Sequence, residues 1–468
     1  MPRSLPGKII LSLYSCLLFI FLPGSTASSQ TFSGNSCDQP EYNLVLIVIN
    51  SLRADHLGSQ GYPRATSPHI DTLAKESVYF DRAFAQSYWT LPSLATIFTS
   101  KYLCAHKLNE RDKSLGLNQK TFTLALKEHG YLTDAFTCGL DAAALYGLGK
   151  SFDSYDVYGG SNPMGVFADM LPKVFRKLSE NKNKKFFLFL HSYDTHPPYR
   201  YDQRESFDKG YKGIFTSLPM DYNSFKALKN HTLGQGNNQA YVSDRDLNHI
   251  VACYDDALKQ ADSFIGSLIA ELKALKLYEK TVIILCADHG EELGERGTFN
   301  RFGNQNLYQE VVRVPLIIRY PGLSQRLQGR RIRSLVGLVD IAPTVLDLLG
   351  IPNTDSDFQG ESLRRFVETT SDKEGRKFIV SEASKAKWML LRSDGWKLVH
   401  SAGKNELYDL NNDPGEQINL AAQNPQMLVI MLQDFFSWRQ AHCNEEKTNN
   451  RVEFDQNLID RLRKAGYW

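Results

Sequence analysis

The run Thr281-Val-Ile-Ile-Leu-Cys-Ala-Asp-His-Gly-Glu291 constrains this chain more than any other stretch. Its apolar half is β-branched and leucine-rich and ends abruptly at Asp288-His289-Gly290. A short apolar run closed by a turn signal reads as a strand covered on both faces. Such strands belong to parallel sheets, where ligands bind in the crevice outside the carboxyl ends. A carboxylate and an imidazole side by side at that place are a candidate pair of ligands for a divalent cation.

Two more segments point to the same edge. Asn43-Leu-Val-Leu-Ile-Val-Ile-Asn50 is again apolar and β-branched, then turns polar at Asn50-Ser-Leu-Arg-Ala-Asp55. Parallel strands present their carboxyl ends together, so Asn50 is expected to meet Asp288. In Tyr88-Trp-Thr-Leu-Pro-Ser-Leu-Ala-Thr-Ile-Phe98, Thr90 stands shortly before an apolar helical pattern, with Pro92 suited to a first helical turn. A hydroxyl there faces a helix N-terminus, which favours anions.

Alternating apolar strands and amphipathic helices run over about residues 43–368, the pattern of a doubly wound α/β domain. Candidate strands include Phe186-Phe-Leu-Phe-Leu190 and Val314-Pro-Leu-Ile-Ile-Arg319. Ser371-Asp-Lys-Glu-Gly375 reads as a linker, and three short segments starting at Phe378, Lys387 and Trp396 read as antiparallel strands. At the start, Arg3 and Lys8 precede an apolar run from Ile9 to Leu22 and the small residues Ser25-Thr-Ala27. That is an export signal over residues 1–27, followed by an extension over 28–42; the apolar run is too short for an ordinary membrane span. No stable span is expected after cleavage, with a secreted, periplasmic or lumenal product; an uncleaved anchor is the competing reading. Beyond the signal lie Cys37, Cys104, Cys138, Cys253, Cys286 and Cys443, an even set that permits disulfides in fifteen complete pairings. Cys286, inside a buried strand, reads as a small core hydrophobe. Asn230-His-Thr232 is a glycosylation acceptor in a eukaryotic host. With 54 Lys plus Arg against 52 Asp plus Glu, the formal charge of +2 gives no ground for nucleic-acid binding.

Taken together, the chain resembles the sulfatases of the alkaline-phosphatase superfamily. Residues 43–58 with Ser67-Pro-His-Ile-Asp-Thr-Leu-Ala74 resemble the family's opening signature, and Trp89-Thr-Leu-Pro-Ser93 stands where it carries its nucleophile. His191-Ser-Tyr-Asp-Thr-His-Pro-Pro-Tyr199 resembles its substrate-side histidine motif, and residues 254–268 its middle helix. Leu307-Tyr-Gln-Glu-Val-Val-Arg-Val-Pro-Leu-Ile317, Leu338-Val-Asp-Ile-Ala-Pro-Thr344 and Glu406-Leu-Tyr-Asp-Leu410 resemble later landmarks, in the family's order.

The resemblance implies an alkaline-phosphatase-like, mostly parallel central sheet flanked by helices over 43–370, with a small antiparallel C-terminal subdomain over 371–468. It implies a site in which one divalent metal (Mn, Zn, Ca or Mg) is held by Asn50, Thr90, Asp288 and His289. Thr90 is then the nucleophile and His196 orients or protonates the leaving oxygen. His191, Lys101, His106 and Asn304 are the implied substrate contacts. The implied partner is a sulfate or phosphate ester, on a glycan or a lipid.

The chain also departs from the family. Sulfatases carry Cys or Ser, converted to formylglycine, with Arg four residues later; here these are Thr90 and Leu94. Formylglycine is therefore not expected, although phosphotransferases and phosphodiesterases of the superfamily use a metal-bound threonine. The family's paired aspartates are Asn50 and Ser51, its two lysines match Cys138 and Asn304, and its His-Gly steps are Arg296-Gly297 and Phe302-Gly303. An amide coordinates a hard cation through its oxygen but brings no charge. Three readings follow: an exported esterase or transferase working through Thr90, an inactive sulfatase-like protein that binds a glycan or a partner, or a structural or accessory subunit unrelated to the pocket.

Overall fold

A computed structural model describes residues 41–116, 118–159, 165–200, 206–217, 232–233, 240–296, 306–353, 357–370 and 375–443. The export signal, nearly all of the extension, Cys37, Asn304, most of the 371–375 linker and the Asn230-His231 pair of the glycosylation acceptor lie outside the described residues.

Eight strands form the central sheet: β1 (Asn43–Ile49), β2 (Val78–Phe80), β3 (Leu132–Cys138), β4 (Ser154–Tyr158), β5 (Phe186–Ser192), β6 (Thr281–Cys286), β7 (Leu316–Arg319) and β8 (Arg330–Ile332). Their order across the sheet is β8-β2-β7-β6-β1-β5-β3-β4. β6, β1, β5, β3 and β4 are mutually parallel, whereas β7 runs antiparallel to both β6 and β2. Every residue of β1, β5 and β6 is buried, which is why these strands read as unbroken apolar runs rather than alternating ones. The expected strand from Val314 to Arg319 is in fact two. Arg313–Val314 pairs with Ala83–Phe84 in a separate small sheet, and β7 begins only after Pro315, which has no N–H for the ladder.

Helices α1 (Pro68–Lys75), α3 (Phe167–Asn181) and the 31-residue α4 (Asp244–Ala274) pack together, while α2 (Thr90–Thr99) packs with α5 (Ile341–Leu348). α4 starts at a capping box in which the Ser243 hydroxyl accepts the Asp246 N–H.

The C-terminal part is an antiparallel sheet of four strands, one more than the three segments read from the sequence: β9 (Phe378–Ser384), β10 (Lys387–Arg392), β11 (Trp396–Ser401) and β12 (Lys404–Asp409). α6 (Pro425–His442) lies on it, with Phe435 stacked on Trp388 at 3.4 Å between ring centroids. A disulfide joins Cys104 to Cys443, 339 residues apart, and Cys138, Cys253 and Cys286 are buried and outside that bond. Among the described residues, no helix is long and apolar enough to cross a membrane.

Candidate functional site

The site forms where three parallel strands stop. Val48 of β1 is level with Cys286 of β6 on one side and with His191 of β5 on the other. The residues just beyond these levels are therefore brought to one edge. Asn50 still pairs with β5 through its N–H to the Ser192 carbonyl (2.9 Å), and the chain then turns sharply at Ser51, which has φ +58°. A second turn follows β6. Gly290 gives its N–H to the Val311 carbonyl, and a Cβ at Gly290 would stand 2.1 Å from the Glu310 carbonyl oxygen, so only glycine fits. α2 brings the third component. Trp89 is its extended N-cap and Thr90 its first helical residue, one position further into the helix than the sequence pattern implied.

The four residues expected to converge do so. The Asn50 Nδ2 donates to Thr90 Oγ1 at 2.6 Å and to Asp288 Oδ2 at 2.8 Å. His289 Nε2 lies 3.4 Å from Thr90 Oγ1 and 3.5 Å from Asp288 Oδ2. Asp288 Oδ1 accepts the N–H groups of Ser51 (3.1 Å) and His289 (2.9 Å), which fixes the carboxylate plane. Asn50, Asp288 and His289 are fully buried and Thr90 nearly so.

Two histidines complete the cluster. His289 Nδ1 is 2.7 Å from the Gly290 carbonyl, which can only accept, so the Nδ1 bears the proton and the Nε2 lone pair faces Thr90 and Asp288. His191 Nε2 stands 3.5 Å from the same Asp288 Oδ2, and among the described residues neither His191 ring nitrogen has a hydrogen bond. Two imidazole nitrogens thus converge on one carboxylate oxygen in a buried place. Lone pairs set against a carboxylate at such distances are relieved when a cation lies against them, and one carboxylate, imidazole nitrogen, hydroxyl and amide oxygen are a mixed set suited to a borderline divalent ion. Asn50 joins that set when its amide is turned: the Thr90 and Ser51 hydroxyls can donate or accept and so keep their contacts, whereas the N–H to Asp288 Oδ2 is given up and two acceptors are left 2.8 Å apart, a repulsion that a cation against them would relieve. The residues present therefore fit a divalent metal.

The other expected site residues are distributed differently. His196 is buried on the turn after β5, its Nδ1–H directed to the Pro197 carbonyl at 2.7 Å. Nearby Asp194 has its carboxyl pushed up to about 6 by burial, although it accepts the Phe167 N–H at 3.0 Å. Lys101 and His106 find partners of their own. The Lys101 ammonium faces the exposed Asp357 carboxylate at 3.4 Å. His106 is buried beside Thr96 Oγ1 (3.2 Å), its Nδ1 accepts the Leu108 N–H, and burial pulls its pKa down to about 3, so it is a neutral structural ring. Cys138 closes β3 one strand beyond β5, and burial raises its thiol well above the usual range. Arg296 clamps Glu310 at 2.7 Å and Glu416 at 3.3 Å while stacking 3.5 Å above the Tyr308 ring.

Three supporting residues were missed by the sequence reading. Ser51 bridges Asn50 and His289, the Thr195 hydroxyl donates to the Asn50 carbonyl, and the Tyr254 hydroxyl accepts the Arg53 N–H (2.8 Å) and donates to the Ser51 carbonyl (2.9 Å). Ser51 was within reach of a local reading because it adjoins Asn50; Thr195 and Tyr254 act through contacts that span 145 and about 200 residues.

Comparison with known proteins gives the same picture. The sulfatase family profile matches residues 42–351, and that of the N-sulphoglucosamine sulphohydrolase C-terminal region matches 294–436. Arylsulfatase K of Bos taurus is 25% identical over 437 residues, covering 82% of this chain and 79% of that protein. The N-acetylglucosamine-6-O-sulfatase of Bacteroides thetaiotaomicron is 23% identical, covering 91% and 92%. Among solved structures, the phosphonate monoester hydrolase of Agrobacterium radiobacter superposes with a TM-score of 0.69 at 22% identity, covering 86% of this chain and 96% of its own. A protein solved with its substrate D-glucosamine-2-N,6-O-disulfate also gives 0.69, at 20% identity, with 87% and 100% covered.

Proposed function

The chain belongs to the sulfatase family, and we propose that it is an exported enzyme that cleaves or transfers sulfate or phosphate esters through the Thr90 hydroxyl. One observation carries this reading: Thr90 Oγ1, at the N-terminus of α2, is held at 2.6 Å by Asn50 and faces the His289 Nε2 lone pair at 3.4 Å. The Thr90 oxygen forms a bond to sulfur or phosphorus as the ester oxygen leaves, and its proton is released to water, since the His289 Nδ1 already carries a proton and its Nε2 lone pair would be a metal ligand. His196 orients or protonates the departing oxygen, and water or a second alcohol resolves the threonyl ester. Asn50, Thr90, Asp288 and His289 would hold a divalent metal. Its chemistry when bound is to acidify the Thr90 hydroxyl and to offset the charge on the ester oxygens. A sulfated glycan is the favoured substrate, because relatives of this chain are named for N-acetylglucosamine-6-O-sulfate and for ulvan. Formylglycine has no place at Thr90. Residues 1–27 serve as the signal in this reading, and 371–468 as the subdomain that carries the four-stranded sheet.

The Asn50 amide also favours a second reading, a sulfatase-like protein without turnover that binds a glycan or partner. In the present orientation Asn50 satisfies both Thr90 and Asp288 with N–H groups and leaves one carboxylate in the cluster. The deciding experiment is hydrolysis of aryl sulfates, phosphomonoesters and phosphodiesters by the exported protein with added Mn, Zn, Mg or Ca. Metal-dependent turnover that Thr90→Ser retains and Thr90→Ala loses supports the enzyme. Folded protein inert on the whole panel, including a sulfated glucosamine, supports the binding protein.

A further inference from the structure

Away from the Thr90 cluster, two clefts of about 690 and 770 Å³ lie between the α/β part and the four-stranded sheet. Both are lined by Arg82, Arg331 and Arg333, so they are two ends of one trough. Its cations outnumber its acids. The three acids are already engaged: Asp55 by Arg53 at 2.7 Å, Asp81 by Arg331 at 2.5 Å and Glu310 by Arg296 at 2.7 Å. Arg376 and Lys377, at the far end, are paired with Asp340 and Asp434. That leaves Arg82, Arg313 and Arg333, which have no carboxylate partner among the described residues. Arg82 donates to the carbonyls of Ser393 (2.8 Å) and Arg392 (3.1 Å), and Arg313 to Gln60 Oε1 (2.8 Å), contacts that orient guanidinium groups without neutralising them. Burial and then the neighbouring Arg313 pull the Arg82 pKa down, and the Asp394 carboxylate opposes them without reversing the shift.

A row of guanidinium groups with fewer carboxylates than cations around it is stabilised by an anion with several charges, and planar guanidinium matches sulfate, phosphate and carboxylate by paired N–H donors. We propose that this trough binds an acidic oligosaccharide bearing sulfate or carboxylate groups. A nucleic acid fits less well. The aromatic rings nearest the trough, Tyr79 and Phe84, are buried and offer no face for a base, and the chain as a whole carries only +2. One lining residue is tied to the turn after β6, since the Glu310 carbonyl accepts the Glu291 N–H. Occupancy of the trough nevertheless does not depend on whether Thr90 reacts.

The test is calorimetric titration of the whole protein with a sulfated oligosaccharide of defined length, its unsulfated counterpart, inorganic sulfate and oligothymidylate of similar charge. Binding of the sulfated glycan alone, weakening steeply with salt and at least tenfold (~1.4 kcal/mol) in Arg333→Glu, is the expected result. Arg333 is exposed and has no hydrogen bond or ion pair among the described residues, so its replacement should leave the fold and small-ester turnover unchanged; Arg313→Gln should weaken binding in the same direction. Equal affinity for oligothymidylate or for sulfate alone, no binding of the glycan, or binding unaltered in both variants overturns the proposal. Loss of turnover in Thr90→Ala with glycan binding intact would separate this site from the reaction.

Discussion

Two buried polar clusters stand a few residues apart in this molecule, and they are built on opposite plans. Around Lys397 the charges balance: its ammonium meets Glu416 at 2.5 Å, Arg296 meets both Glu416 and Glu310, and the Lys397 and Glu416 side chains are fully excluded from water. Around Thr90 they do not. One carboxylate faces two imidazole nitrogens, and His191 keeps both ring nitrogens without hydrogen bonds among the described residues. The ion-paired cluster ties the four-stranded sheet to the main one, although the Lys397 ammonium and Glu416 Oε1, close as they are, share no well-aligned hydrogen bond. The unbalanced cluster is stable only because the strand ends over-determine its positions, and the imbalance is what a ligand can answer.

The largest contrast should come from Thr90→Ala. Turnover of the best ester should drop by about 10³-fold or more (at least ~4 kcal/mol), while the melting temperature moves by no more than a degree or two. A large loss of stability would place Thr90 with the scaffold instead. Lys397→Ala should do the reverse, leaving Glu416 buried without a cation at a cost of about 3–5 kcal/mol, read by denaturant unfolding, with kcat of the folded fraction unchanged. Glu382 extends the comparison to pH. Burial raises its carboxyl to about 7, above its unfolded value, although Arg439 lies 3.3 Å away. Its contribution to stability is therefore complete below about 4.5 and is lost as pH rises through 7. The stability difference between the wild type and Glu382→Gln should narrow across that window, by on the order of 1–3 kcal/mol; a pH-independent difference would mean that this carboxyl does not titrate there. The smallest effect concerns Asn50→Asp, which adds a second carboxylate beside Asp288. Calorimetry should show Mn or Zn binding tightened about tenfold, ~1.4 kcal/mol, and unchanged affinity would place Asn50 outside the coordination set.

Strand ends were legible in the sequence because a fully covered strand advertises itself as an apolar run, and its first polar residue marks the edge. Asn50 and Asp288, 238 residues apart, were thereby brought together before any coordinates. Lys101 and His106 were less legible. Their partners, Asp357 and Thr96, depend on how the chain turns after α2, and a histidine pattern does not distinguish a ring neutralised by burial from one facing a ligand. The break at Pro315 was visible as a residue but not as a change of sheet. The disulfide lay among fifteen pairings, because contact between Cys104 and Cys443 is set by the docking of α6 rather than by local spacing. The arginine trough was invisible for a similar reason: Arg82, Arg313 and the run Arg330-Arg-Ile-Arg333 lie far apart in the sequence and become a row only when β2, β7 and β8 are neighbours.

The Cys104–Cys443 bond also bears on proteolysis. It closes a covalent ring through 339 residues of chain, so one cut anywhere inside that ring yields no separate fragment. A protease nick in the span between α3 and α4 would leave a single species on a non-reducing gel and two bands after reduction. The nicked molecule would keep the N-terminal strand β1, with Asn50, tethered to β6, with Asp288, so cleavage need not disperse the cluster that those two strand ends assemble.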